Sequence, residues 1–118
     1  MKAQGKKQKG SRLERKFAQL IRRKGLDPNA KRMVLSGADW AFRSDINTSL
    51  PYKFECKNQE RITIWKWWEQ TKDQETMNMP GILIFTSNNR PIMACMDAET
   101  LLDILKELKD YKDESDIK

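Results

Sequence analysis

Two carboxylates and an amine lie close together in the stretch "SDINTSLPYKFECK", as Asp45, Glu55 and Lys57. Side chains alternate across a strand. A strand over 52–57 therefore puts Lys53, Glu55 and Lys57 on one face, and Tyr52, Phe54 and Cys56 on the other, toward a core. A turn near Leu50 brings residues 44–48 back alongside, with Asp45 roughly opposite Glu55. Carboxylate oxygens are the ligands that Mg²⁺ and Mn²⁺ prefer. An ion held there can stabilise charge on a phosphate ester and acidify a water. The Lys57 amine can orient or deprotonate that water, or neutralise the crowded phosphate. The Cys56 backbone carbonyl lies between these residues and is a further candidate ligand. Glu-x-Lys alone, a pattern common by chance, is more readily an ion pair on a solvated strand face. The upstream Asp, in a strand–turn–strand setting, is what raises the pattern above that.

The rest of the composition narrows the chemistry. The 118 residues include no histidine, which removes the commonest general base and the usual zinc ligand. Two cysteines, Cys56 and Cys95, are too few for a structural zinc site, and both sit in apolar runs as expected of buried free thiols. No apolar run approaches the roughly 20 residues that cross a bilayer, and no apolar stretch follows the basic start MKAQGKKQKG, so the expected location is cytoplasmic with no membrane partner. Charge is uneven. Residues 1–33 carry 12 Lys/Arg against Glu14 and Asp27, a net of +10, while residues 97–118 carry a net of −4. A basic front suits a polyanion such as nucleic acid, although a merely solubilising tail would look the same.

The elements that must position these groups follow from pattern. Residues 1–10 read as a disordered basic tail. Ser11 with Glu14 has the capping-box spacing, and Leu13, Phe17, Leu20 and Ile21 mark one face of a helix ending near Lys24, before Gly25. Strands are expected over 31–35, 44–48, 52–57, 81–86 and 91–96, with a helix from Thr63 to about Met77 and another after Asp97 bearing Leu101, Leu102, Ile104, Leu105 and Leu108. Residues 110–118 read as a disordered acidic tail. One domain, over 11–109, is expected: an α/β (α+β) fold with a central mixed sheet of about five strands flanked by helices. Trp65 and Trp68, three apart, are expected to pack inward, and Trp67 to be exposed.

"SDI" followed by "FECK" resembles the signature of the PD-(D/E)xK nuclease superfamily, and with it the restriction-endonuclease-like fold. Within it the chain is similar to the archaeal-type Holliday junction resolvases, including their viral relatives. "GSRLER", Gly10 to Arg15, matches the Gly-x-x-x-Glu-Arg of their basic first helix, and "KRMVLSG" their basic residue and Ser/Gly loop. The likeness covers roughly residues 10–96. Ser-Asp stands where Pro-Asp is usual. Asp39, in the loop 36–43, is a rival to Asp45.

The resemblance implies a metal-dependent endodeoxyribonuclease that resolves four-way junctions. Asp45 and Glu55 would hold Mg²⁺, for which Mn²⁺ would substitute. Lys57 would serve the attacking water, and Glu14 would add a third carboxylate. Arg15, Arg32 and Ser36 would contact the phosphate backbone, with Gln70 a further polar contact. The protein would act as a homodimer on branched DNA, at the nucleoid or on viral DNA. Its interface would include Trp67 and the 91–96 strand with Ile92, Met93 and Met96. Two other readings stay open: a nicking, restriction-like or repair nuclease of the same superfamily, and a DNA-binding module that keeps the fold without activity.

Overall fold

The computed structural model describes residues 3–33, 44–76 and 78–117. Its elements run α1 (Ala3–Arg23), β1 (Lys31–Arg32), β2 (Ile46–Asn47), β3 (Lys53–Asn58), α2 (Ile64–Asp73), β4 (Gly81–Thr86), β5 (Met93–Cys95) and α3 (Ala98–Ile117). The fold is the expected mixed α/β arrangement, but the five strands among the described residues form two sheets, of two and three strands, rather than one central sheet. β3 and β4 pair in parallel, and β5 adds antiparallel to β4. β1 and β2 form a separate antiparallel pair.

That pair is fastened to β3 by the Ser-Asp dipeptide. The Asp45 amide donates to the Phe54 carbonyl at 2.8 Å. The Ser44 hydroxyl accepts from the Phe54 amide at 3.0 Å and donates to the Phe54 carbonyl at 3.3 Å. Asp45 Oδ2 accepts from the Cys56 amide at 2.7 Å. Side-chain oxygens thus satisfy buried backbone groups that a regular ladder would otherwise pair.

A helix covers each face of β3–β4. On one face Leu13, Ala18 and Ile21 of α1 join Phe54, Cys56, Ile82 and Ile84 in the core, with Phe17 edge-on to Phe54 at 5.1 Å. On the other, α2 buries Trp67, Thr71 and Gln74 against the residues of the alternate parity. Trp67 meets Phe85 at 6.2 Å. The approach at Thr71 is so close that a Cβ on Gly81 would lie 2.7 Å from the Thr71 carbonyl oxygen, so glycine is required there. The face of β3 bearing Lys53 and Glu55 is therefore not a solvated one: the two residues are 6% and 8% exposed.

Several boundaries differ from the sequence reading. α1 starts at Ala3, so Ser11 lies inside the helix and does not cap it. Lys and Gln are good helix formers, and Asn58 donates a hydrogen bond to the Lys9 carbonyl at 3.2 Å, tying this turn to the end of β3. The other end stops as expected: Gly25 has φ 75°, its amide bonds to Arg22 and that of Leu26 to Ile21, the Schellman pattern. α3 runs on to Ile117, through the stretch read as a disordered tail. Its Leu101, Leu102, Leu105 and Leu108 stay exposed. The tryptophan expectation is reversed for two of the three, Trp67 being 3% exposed and Trp65 77%, while Trp68 is half-buried. The rotation of α2 decides this, because the face it turns to the sheet carries 67, 71 and 74, one residue per turn.

Candidate active site

The Asp45–Cys56 hydrogen bond places the Asp45 carboxylate on the backbone directly after Glu55. Glu55 Oε1 stands 3.4 Å from Lys57 Nζ. Glu55 Oε2 accepts a hydrogen bond from the side-chain amide of Gln74. Asp45, Glu55 and Lys57 are thus brought together, as the strand alternation predicts. Glu14 enters from α1. Its Oε2 is 2.6 Å from Arg32 Nε, joining the helix to β1, and its charge is felt by both Asp45 and Cys56.

The site holds surplus negative charge. Burial first, and then the neighbouring charge of Glu55, push the Asp45 carboxyl up to about 7. Glu14 adds to this, against the pull of the Cys56 amide and of Lys57. Burial, followed by Asp45, raises the Cys56 thiol well above its ordinary range, which leaves it inert. Cys56 and Cys95 are both free thiols, the first buried and the second half-buried.

Among the described residues no group of three or more His, Cys, Asp or Glu stands ready to cage a metal ion. The donor set nevertheless suits a hard divalent cation. Mg²⁺ is commonly held by one or two carboxylates, with waters and substrate phosphates completing its shell. Asp45 and Glu55 provide two carboxylates, and their mutual repulsion is what such a cation relieves. Glu14, whose Oε2 is engaged by Arg32, adds its charge to that felt by Asp45.

Gln74 is the residue that the sequence reading missed. Only its NH₂ can face a carboxylate oxygen, so its Oε1 points elsewhere, and that oxygen is buried with no hydrogen-bond partner. Gln70, the polar residue singled out on this helix, lies one turn earlier and is exposed. Helical spacing could have offered Gln74 as well, since Trp67, Thr71 and Gln74 recur three and four apart. Arg15 is exposed on α1, and Arg32 is the Glu14 partner. Ser36 and Asp39 lie outside the described residues.

The family described as "Phage putative PDDEXK endonuclease" matches residues 5–117, nearly the whole chain. No curated protein matches, and no solved structure does.

Proposed function

The chain belongs to this phage PDDEXK endonuclease family, and from that premise we propose that it is a Mg²⁺-dependent endodeoxyribonuclease that resolves four-way DNA junctions. The observation that carries the catalytic reading is the meeting of Asp45, Glu55 and Lys57 at one point on β3. The junction substrate is supported by the likeness of "GSRLER" and "KRMVLSG" to the junction resolvases.

Nucleases of this superfamily use divalent metals, and an ion between Asp45 and Glu55 would neutralise charge on the scissile phosphate and acidify a water. The chain's own residues do the rest. The Cys56 amide fixes the Asp45 carboxylate, and Gln74 fixes that of Glu55. Lys57, ion-paired with Glu55, orients the attacking water and offsets charge on the crowded phosphate. Glu14 keeps Arg32 extended beside the site, where its guanidinium can meet a backbone phosphate. Arg15, Ser36 and Gln70 add outer contacts to DNA. One chain carries one such site, so two cuts across a junction call for a homodimer. Trp67 is buried and cannot serve its interface, whereas Met93 on β5 is exposed. The place of action would be the cytoplasm, on phage DNA; among the described residues no helix is long and apolar enough to cross a membrane.

The test is cleavage of labelled four-way junctions, duplexes and single strands, with and without Mg²⁺. Junctions should be cut only with the ion. Glu55→Gln and Asp45→Asn should lose cleavage and keep DNA binding, and Asp39→Asn should stay active. Wild-type cutting by Glu55→Gln would overturn the site. Preferential cutting of nicked or linear duplex would replace the junction substrate with a nicking or repair role.

A further inference from the structure

A second polar site lies on the other flank of α1. Residues two apart on a helix point to opposite sides. Glu14 reaches Arg32 on β1, while Arg12 and Lys16 face the other way. Together with Lys9 they line a cleft of about 430 Å³, closed on its far side by Arg90 and the turn that joins β4 to β5. Lys9, Arg12 and Lys16, at spacings of three and four, make one cationic stripe along α1. Asn58, Thr86 and Ser87 add polar groups at the ends of the two parallel strands. Among the described residues, four cations and no carboxylate line this space.

We infer that this cleft binds the phosphodiester backbone of duplex DNA outside the cut, as an anchoring site separate from the catalytic one. Three features support this. Apart from Leu13 and Ile92, the described lining is polar or cationic, which suits an anion. The cations come from two elements on opposite walls, so a backbone lying between them is gripped from both sides. The cleft opens at the carboxyl ends of the parallel strands, where Asn58 lines it from the α1 face of β3 while Lys57, one residue earlier, belongs to the opposite face, so it lies near the candidate active site and apart from it. Phosphate contacts of this kind set register and orientation without reading sequence. The inference rests on the nuclease reading only for the choice of DNA as the polyanion.

The experiment measures binding of a fluorescein-labelled duplex of arbitrary sequence, without metal, across a salt series. The variant combines Arg12→Gln, Lys16→Gln and Arg90→Gln, three exposed side chains. Each lost phosphate contact should reduce the slope of log affinity against log salt by about 0.9, so the triple variant should flatten it by roughly 2 to 3 and bind roughly tenfold or more weakly. Lys106→Gln, Lys109→Gln and Lys112→Gln combined, three surface lysines on α3, are the control for net charge and should lose far less slope. A triple variant with wild-type slope and affinity would overturn the proposal, as would an equal loss in the control. Cleavage is read separately: a protein that binds through the cleft and cuts nothing would sink the nuclease reading and leave the cleft standing.

Discussion

Gln74 donates its side-chain amide hydrogen bond to the Glu55 carboxylate from the opposite layer of the fold, across the gap between α2 and β3. The same carboxylate meets Lys57 at 3.4 Å. Glu55 is therefore held at both oxygens before any substrate arrives. A ligand fixed in this way loses less rotamer freedom when it takes up an ion.

Gln74→Leu should lower cleavage by about 10- to 100-fold, the range for partners that orient a metal ligand. A positioning role predicts more than lost activity. Affinity for Mn²⁺, measured by calorimetry on the folded variant, should fall in parallel, while affinity for DNA without metal stays near wild type. A variant that melts like wild type and keeps full Mn²⁺ affinity and rate would show that the Gln74 contact is only structural.

Asp27 fastens the loop after α1 to the turn before β3. Its Oδ2 accepts from the Thr48 hydroxyl at 2.5 Å and the Ser49 amide at 2.9 Å, and its Oδ1 accepts from the Asn29 amide. These bonds, the Thr48 one foremost, hold its carboxyl below the usual value of 3.8. A depressed carboxyl contributes stability that is complete above the unfolded value and is lost as pH falls through the folded one. Asp27→Asn should thus lower the melting temperature at neutral pH, and the difference from wild type should vanish well below pH 3.8. Melting curves by circular dichroism check this. A constant difference across that range would show that the charge of Asp27 is immaterial.

Trp67 and Trp65 separate core from surface on one helix. Trp67→Ala should cost about 3–5 kcal/mol, the usual range for emptying a buried aromatic site. Trp65→Ala, at 77% exposure, should stay within about 0.5 kcal/mol. Urea unfolding of the two variants measures both values. Equal losses would mean that α2 lies on the sheet with a different rotation.

Strand-level features were legible because they are local. The two-residue alternation of "YKFECK" puts Glu55 and Lys57 on one face whatever the surroundings, and the apolar run GILIFT marks β4 from its own composition. The turn between Asp45 and Glu55 is short enough that chain connectivity alone returns one beside the other. Gly25 ends α1 by its own backbone freedom. Tertiary structure decided what depends on how one element is rotated against another. α2 carries three tryptophans, and periodicity alone does not say which one faces the sheet. The close approach of Thr71 to Gly81 selects Trp67, and with it brings Gln74 rather than Gln70 to Glu55. The same holds for Ser44, whose hydroxyl can complete the bonds of Phe54 only once the two segments are in contact. Glu14 likewise fits a capping box by spacing, yet α1 runs past it and frees its carboxylate to reach Arg32 beside the site.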